Sequence, residues 1–333
     1  MALCCVMPAK ALEVSAHSAI LMDGDTGQVL YEKSPDERSL IASTTKIMTA
    51  LVALETGGMD ETVTVPAEAA GIEGSSMYLK AGEKLTRRDL LYGMMLSSGN
   101  DAAVALATSW DDSMEDFVGR MNARAQAMGL SQTFFANPNG LDDENYSTAR
   151  ELAILTQEAL RLPEFRQVVA SRSYQAGNRQ LVNHNKLLWR YPDAIGVKTG
   201  FTKRAGRILV GAAERNGRLL ISVTINAPSD WSDHQAMLDY GFSLYQETEI
   251  IVPGQILDTV PVMGTGWDTW ALEAETGVTA WLLPEEKPEC RVYGPRFLYA
   301  PAEHETEAGY AEVFLGETPL GRAGLRLGEP VIQ

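Results

Sequence analysis

The spacing of hydrophobic and polar residues changes twice along the chain, from strand-like to helix-like and back. Residues Ser18 to Lys33 alternate around a Gly- and Asp-rich turn, which predicts a β-hairpin. From Ser43 to Glu55 the apolar residues recur at helical spacing and stop at Gly57 and Gly58. The same spacing predicts further helices near Thr86–Leu96, Asp101–Ser109, Met114–Met128 and Thr148–Leu160.

Short runs rich in β-branched residues return beyond Ser171, in "AIGVKTG", "GRILVGAAE" and "RLLISVTIN", before a helix near His234–Tyr245. Strands at both ends of a helical middle predict an α+β fold in which the terminal strands share one sheet. From residue 249 the helical spacing disappears, and short alternating segments separated by Gly and Pro predict a small all-β domain over 249–333.

The first residues favour export of the protein. A short apolar run ends in Ala9-Lys10-Ala11, which is similar to a signal-peptidase site, although no basic segment precedes it. Residues 1–11 are therefore interpreted as a signal-peptide remnant and 12–248 as the principal domain. The sequence contains no run of eighteen apolar residues, which is the length that would span a bilayer.

Composition narrows the possible partners. The 333 residues carry a net charge of −16, which argues against nucleic acid as a partner because a phosphate backbone needs a basic face. The cysteines Cys4, Cys5 and Cys290 form no disulfide framework and no metal-binding pattern, and Cys290 is expected to be buried. The sequence predicts neither a metal nor an organic cofactor.

Ser43 and Lys46 allow two interpretations. Taken alone, Ser43 is a helix N-cap and Lys46 a solvated residue of the first turn. A cation near the positive end of a helix dipole is unfavourable, however, and residues three apart share a helix face, so the lysine amine could reach the serine hydroxyl. A neutral lysine there could act as a base for a nucleophilic serine.

Two further short motifs follow in order. Ser98-Gly99-Asn100 lies between two predicted helices, and Lys198-Thr199-Gly200 follows an apolar strand. Each alone is also explained as an ordinary helix break or strand-end turn. Together, S-x-x-K, S-x-N and K-T-G form the set found in penicillin-binding proteins and class A β-lactamases, which makes a chance match improbable.

With S-G-N as the middle motif, the chain resembles the low-molecular-mass penicillin-binding proteins that are serine D-Ala-D-Ala carboxypeptidases. The segments "MMLSSGNDAAVALA" and "IGVKTGFTKRAGRILVGAAERNGRLLISVTINAP" strengthen the resemblance, which extends from Ser18 to Tyr245. It implies the transpeptidase fold of penicillin-binding proteins and β-lactamases, an antiparallel sheet with a helical lobe, followed by a small C-terminal β domain.

The resemblance also implies that the substrate is peptidoglycan pentapeptide, that β-lactams acylate the protein, and that no cofactor is needed. It implies a location outside the bacterial cytoplasm and a role for each matched residue. Ser43 would attack the carbonyl of the penultimate D-Ala, and Lys46 would accept its proton. Ser98 would pass a proton to the leaving D-Ala, and Asn100 would orient Lys46. The implied substrate-binding residues are Lys198, Thr199, Gly200 and Phe201. The positive charge of Lys198 would help keep Lys46 neutral. The backbone N–H of Phe201 would form an oxyanion hole together with that of Ser43.

Alternatives and departures accompany this interpretation. A class A type β-lactamase would need an additional Glu, and Glu144 and Glu151 lack the expected motif. A non-catalytic wall-binding protein of the same fold is the other alternative.

Asn139 departs from the family pattern and is interpreted as a change in loop packing. His184 is interpreted as a packing or hydrogen-bonding residue. No closing amphipathic helix is visible, so membrane association stays open.

Overall fold

The computed structural model describes residues 12–110, 113–141, 144–264, 269–300 and 306–331. The proposed signal-peptide remnant, residues 1–11, lies outside these ranges. Two compact units divide the chain, the first made of Met1–Arg215 with Leu219–Phe242 and the second of Asn216–Arg218 with Ser243–Gln333. The roles assigned to the two parts of the chain stay predictions.

The first unit contains the helices and a central antiparallel sheet. Its helices are α1 (Lys46–Thr56), α2 (Arg87–Leu96), α3 (Asn100–Ala107), α4 (Met114–Ala127), α5 (Ala149–Leu160), α6 (Pro163–Ala170), α7 (Leu187–Arg190) and α8 (Asp230–Ser243). Its strands are β1 (Ser18–Asp23), β2 (Val29–Lys33), β3 (Ser39–Leu40), β4 (Thr62–Thr64), β5 (Lys84–Thr86), β6 (Tyr146–Ser147), β7 (Ser173–Ala176), β8 (Arg179–Val182), β9 (Ala194–Thr202), β10 (Gly206–Arg215) and β11 (Arg218–Ile225).

Five strands form the central sheet, in the order β2-β1-β11-β10-β9. The first strand pairs with the last, Ser18 opposite Ile225, so the two ends of the unit meet in one sheet as the sequence predicts. Among the described residues, strand β9 forms an edge of this sheet and pairs with β10 alone, with Lys198 opposite Val210. The α+β fold class is confirmed.

A single hydrophobic core joins α1 and its neighbours to the sheet. Helix α1 is apolar around most of its circumference, and Ile47, Met48 and Leu51 are completely buried. Such a helix must be enclosed by other elements, and α2, α3, α4, α5 and α6 all contact it. The residues at its start are therefore held rigidly by the core of the unit.

The second unit is built of strands, as the sequence predicts. They are β12 (Gln246–Ile251), β13 (Ile256–Met263), β14 (Thr269–Ala274), β15 (Val278–Leu282), β16 (Glu289–Tyr293), β17 (Leu298–Tyr299), β18 (Glu307–Leu315) and β19 (Thr318–Pro330). Six of them form a sheet in the order β16-β18-β19-β14-β13-β17. Cys290 is exposed on β16, so the expectation that it is buried is wrong; its neighbour on β18, Val313, points into the core.

Candidate active site

Ser43 lies in a single 3-10 turn, Ala42–Thr45, that leads directly into α1. The capping alternative is wrong, because Thr45 occupies the N-cap position of α1 and no side chain caps either helix start. The residue before Ser43, Ala42, has a φ of +44°, a left-handed conformation unusual for alanine. The turn therefore leaves the Ser43 hydroxyl available for chemistry.

Lys46 is completely buried and directs its amine at Ser43. Its Nζ atom lies 3.0 Å from Ser43 Oγ, 2.7 Å from Oδ1 of Asn100 and 2.6 Å from the backbone carbonyl oxygen of Asn139. Burial lowers the pKa of Lys46 well below its usual value, and the positive charge of Lys198 lowers it further, while Asp101 acts in the opposite direction.

The three oxygen partners of Lys46 suit both charge states of its amine, including the neutral form that burial favours. A neutral amine has two N–H donors and one lone pair, whereas a carbonyl oxygen can only accept and a hydroxyl can donate. In the neutral form, the oxygens of Asn100 and Asn139 accept the two N–H groups, and the lone pair can take the hydroxyl hydrogen of Ser43; in the charged form, the third N–H donates to Ser43 Oγ. Lys46 is thus arranged to remove the proton of Ser43.

A second hydrogen bond fixes the orientation of the Asn100 amide. Its Nδ2 donates to the backbone carbonyl oxygen of Glu73 at 2.7 Å, so its Oδ1 must face Lys46. The next residue, Gly74, has a φ of +90°, and a Cβ atom there would lie 2.7 Å from Asn100 Nδ2. A glycine lets the loop approach Asn100 this closely.

Ser98 and Lys198 form the second pair of the site. Ser98 follows α2 with a φ of +59°, and Lys198 Nζ donates to its hydroxyl at 3.0 Å. Burial lowers the pKa of Lys198 to about 7, so its charge near neutral pH depends on its surroundings. A bound carboxylate would favour the charged form of Lys198.

Strand β9 brings Thr199, Gly200 and Phe201 to the nucleophile. A Cβ atom on Gly200 would lie 3.2 Å from the carbonyl oxygen of Ile41 and 3.4 Å from the backbone nitrogen of Ser43. The absence of a side chain therefore allows close approach of the strand to the Ser43 turn. Phe201, the following residue, is 65% exposed.

These residues border a cleft of about 330 Å³ in the first unit. Its lining includes Ser43, Ser98, Thr199, Gly200 and Phe201 from the predicted site. Three further residues of the predicted site, Lys46, Asn100 and Lys198, are buried behind this lining. Lys46 contacts Ser43, Lys198 contacts Ser98, and Asn100 contacts Lys46. All eight residues predicted for the site are thus brought together.

The sequence analysis did not predict some residues of the site and assigned others a different role. The cleft wall also includes Ser75, His184, Lys186, Arg207, Ile208, Asp230 and Trp231. His184 therefore borders the cleft, and burial followed by the charge of Lys198 lowers its pKa. Asn139 is more than a packing residue, but no side-chain pattern could reveal it because its backbone carbonyl makes the contact.

Glu151, a residue that a β-lactamase could use to activate water, is occupied elsewhere. Its carboxylate accepts hydrogen bonds from the backbone of Gln132 and the hydroxyl of Thr133, and it does not line the cleft. Within the described ranges, no three His, Cys, Asp or Glu side chains are grouped as metal ligands would be. Among the same residues, no helix has the length and apolar character needed to cross a membrane.

Residues 5–229 match the family model described as D-alanyl-D-alanine carboxypeptidase. The D-alanyl-D-alanine carboxypeptidase DacF of Bacillus subtilis is 37% identical over 261 residues, which cover 74% of this chain and 67% of that protein. Penicillin binding protein 5 from Haemophilus influenzae has a crystal structure with a TM-score of 0.69 and 29% identity, covering 98% of this chain and 100% of the other. A D-alanyl-D-alanine carboxypeptidase from Mycobacterium tuberculosis gives a TM-score of 0.67 at 35% identity, over 72% of this chain and 96% of the other.

Proposed function

Because the chain belongs to the D-alanyl-D-alanine carboxypeptidase family, we propose that Ser43 is the nucleophile with which this serine-type hydrolase removes the terminal D-alanine of peptidoglycan stem peptides. The observation that carries the assignment is the position of the buried Lys46 amine. It lies 3.0 Å from the hydroxyl oxygen of Ser43, and in its neutral form two N–H groups are taken by carbonyl oxygens while the lone pair faces that hydroxyl.

Acylation begins with proton transfer from Ser43 to Lys46. The hydroxyl oxygen attacks the carbonyl carbon of the penultimate D-alanine, and the carbonyl oxygen becomes an oxyanion. The backbone N–H groups of Ser43 and Phe201 donate to that oxyanion and stabilise it where charge develops. The close approach of Gly200 to the Ser43 turn supports this arrangement.

The leaving group departs after it has been protonated. Ser98, held by Lys198, donates its proton to the nitrogen of the terminal D-alanine, and the C–N bond breaks to give an ester on Ser43. The proton that Lys46 removed from Ser43 passes to Ser98 in its place, so Lys46 is neutral again. Charged Lys198 and the hydroxyl of Thr199 attract the terminal carboxylate. Asn100 keeps Lys46 in position throughout, because its amide is fixed from both sides.

Water then hydrolyses the ester. It attacks the acyl carbon while neutral Lys46 accepts a proton from it. The bond between the acyl carbon and Ser43 Oγ then breaks, Lys46 returns that proton to the Ser43 oxygen, and the trimmed peptide leaves. A β-lactam acylates Ser43 in the same way, but its leaving nitrogen stays attached to the acyl group. The substrate belongs to the bacterial cell wall, so we place the enzyme outside the cytoplasm, with residues 1–11 as the remnant of an export signal.

Release of D-alanine from a peptide ending in D-Ala-D-Ala tests the assignment. We expect the wild-type protein and a Ser131→Ala control, altered at an exposed serine outside the cleft, to release it at the same rate. A Ser43→Ala variant should release none while keeping the melting temperature of the wild type. Release by Ser43→Ala, or none by the wild type, would reject the proposal.

We further propose that 12–248 is the catalytic domain and that the β-rich residues 249–333 hold it at a distance from the membrane surface. Removal of the β-rich part should leave D-alanine release by the purified protein in place and change its distribution between membrane and soluble fractions of the cell envelope. An unchanged distribution would reject the spacer role.

A further inference from the structure

We propose that Asp101 is a positioning residue, which holds the loop formed by residues 73–79 against the start of α3 and thereby keeps the Asn100 amide directed at Lys46. The inference rests on the proposed function, because it concerns the proton transfer to Lys46. It adds a residue that directly follows the S-G-N motif and does not line the cleft.

The Asp101 carboxylate is attached to three residues of this loop. Its Oδ1 accepts from the backbone N–H of Met77 at 3.1 Å, and its Oδ2 accepts from that of Leu79 at 2.9 Å. Oδ2 also accepts from the hydroxyl of Ser76 at 2.6 Å. Asp101 is only 1% exposed, and a buried carboxylate needs such donors. Because hydrogen bonds to an ionised acceptor are roughly twice as strong as neutral ones, the loop is held firmly.

The loop in turn holds Asn100 at two points. The backbone N–H of Asn100 donates to the carbonyl oxygen of Ser75 at 2.7 Å, and its side-chain Nδ2 donates to that of Glu73 at 2.7 Å. The side-chain contact is the one that directs Oδ1 at Lys46. Asp101 therefore acts on Lys46 through the loop and Asn100.

Two glycines make room for this attachment. A Cβ atom on Gly99 would lie 2.8 Å from Oδ1 of Asp101, so the middle residue of the S-G-N motif leaves space for the carboxylate. A Cβ atom on Gly93 of α2 would overlap the sulfur of Met77, whose side chain is buried. Packing on α2 and hydrogen bonds to Asp101 thus dock the same part of the loop.

The charge of Asp101 separates a positioning role from an electrostatic one. Its negative charge raises the pKa of Lys46, which must be neutral to accept a proton, so by charge alone Asp101 opposes the reaction. Removal of the charge with the loop undisturbed would favour the neutral amine and would not slow acylation. The hydrogen bonds to the loop give the carboxylate its favourable effect.

Asp101→Asn sets these two effects against each other. The substitution keeps the shape of the side chain and removes the charge, but its amide nitrogen is a donor. Whichever way the amide is turned, that nitrogen faces the backbone N–H of either Met77 or Leu79. Slower acylation by this variant therefore indicates that the loop attachment outweighs the charge.

A double-mutant cycle with Asn100 tests the inference. Stopped-flow fluorescence gives the rate constant of acylation by benzylpenicillin at pH 7 for the wild type, Asp101→Asn, Asn100→Ala and the double variant. We expect Asp101→Asn to react about 10-fold more slowly than the wild type, because a misplaced group costs up to about 100-fold. In the Asn100→Ala background the same substitution should slow acylation less than about 2-fold, since the residue through which Asp101 acts is already absent.

Two further variants complete the set. Ser76→Ala removes one hydrogen bond to Asp101 at a partly exposed position, so it tests the loop attachment even if Asp101→Asn does not fold. It should slow acylation about 3-fold, and only while Asn100 is present. Asp116→Asn is the matched control, because Asp116 also lies in the first turn of a helix and accepts from a serine hydroxyl, that of Ser113 at 2.7 Å, but away from the cleft. It should react at the wild-type rate.

Acylation of Asp101→Asn at the wild-type rate or faster would overturn the positioning role, and so would equal slowing in both backgrounds. If that variant does not fold, Ser76→Ala that reacts as fast as the wild type would overturn it. Wild-type protein that benzylpenicillin does not acylate and that releases no D-alanine would instead reject the proposed function, and this inference with it.

Discussion

The Nζ atom of Lys46 lies 2.7 Å from Oδ1 of Asn100, whose amide cannot turn over because its nitrogen donates to the carbonyl oxygen of Glu73. This relationship makes Asn100 an obligatory acceptor for Lys46. It also means that the base is positioned by a backbone loop distant from it in sequence.

The first prediction concerns the chemistry of Asn100. An Asn100→Asp substitution keeps an oxygen near Lys46 but adds a negative charge, which raises the pKa of Lys46 and keeps it protonated. We expect acylation by benzylpenicillin at pH 7 to slow by about 100-fold or more, the range of a lost general base. Stopped-flow fluorescence measures this rate.

Asn100→Ala provides the comparison, because it removes the acceptor without adding charge. Asn100→Asp should be the slower of the two variants at neutral pH. If the aspartate variant instead acylates faster than the alanine variant, the charge state of Lys46 is not what Asn100 controls.

A second prediction concerns the glycine that lets the loop reach Asn100. Gly74→Ala places a methyl group 2.7 Å from Asn100 Nδ2 at a φ of +90°, so the amide or the loop must move, and the contact between Asn100 and Lys46 is disturbed. We expect the acylation rate to fall about 10-fold, together with a loss of about 1 kcal/mol in stability.

Gly71→Ala separates the two effects. Gly71 has a φ of +78° in the same loop, but no atom lies within 4 Å of the position of an added Cβ. It should lose similar stability in denaturant titrations and retain the acylation rate. Equal slowing of both variants would show that general loop strain, and not contact with Asn100, is responsible.

The coupling between the two buried lysines gives a third prediction. Positive charge on Lys198 helps lower the pKa of Lys46, so Lys198→Gln should raise it. Lys46 is active when neutral, and the acylation rate therefore rises with pH through this pKa. In the variant the rising limb of the pH profile should move to higher pH, and its maximum should also fall because the contact with Ser98 is lost.

Exposed Lys203, close behind Lys198 in the chain, supplies the control substitution Lys203→Gln. Its pH profile should coincide with that of the wild type. A Lys198→Gln profile whose rising limb stays in place, or moves to lower pH, would contradict the assignment of Lys46 as the base.

A fourth prediction concerns stability at acid pH. His234 is completely buried, and its ring nitrogens lie 2.7 Å from the Ser222 hydroxyl and 3.0 Å from that of Thr224. Burial lowers its pKa to about 3. The unfolded chain therefore takes up a proton near pH 6.5 that the folded protein refuses, and stability is lost as pH falls from 6.5 toward 3.

For one proton bound by the unfolded chain alone, the free energy of unfolding falls by about 1.4 kcal/mol per pH unit. His234→Gln removes this proton while keeping a polar side chain next to the two hydroxyls. Urea titrations between pH 6 and 4.5 should show a steeper loss of the free energy of unfolding in the wild type than in the variant. Parallel losses would rule out a buried neutral histidine as the cause.

Much of the fold could be predicted because periodicity reflects burial. The hairpin of β1 and β2, the long helices and the β-rich end all follow from the spacing of apolar residues. The short helices α6 and α7 were not predicted, since four to eight residues give little periodic signal. The start of α1 was placed three residues too early, because the 3-10 turn that carries Ser43 continues the helical spacing.

Only those parts of the site that consist of side chains could be predicted from the sequence. Ser43, Lys46 and Lys198 have side chains whose chemistry suggests a role. The carbonyl groups of Glu73 and Asn139 leave no mark in the residue types, because any residue supplies a carbonyl oxygen. Gly140 is a partial signal: its φ is +86°, and a side chain there would overlap the carbonyl oxygen of Ala42.

The role of Ser43 as the nucleophile is tested by locating the bond that a β-lactam forms with the protein. Wild-type protein is incubated with benzylpenicillin, digested and analysed by tandem mass spectrometry. We expect one adduct with the mass of the intact β-lactam, on Ser43, and none in Ser43→Ala. An adduct mapped to another residue, or one that persists in Ser43→Ala, would contradict this role.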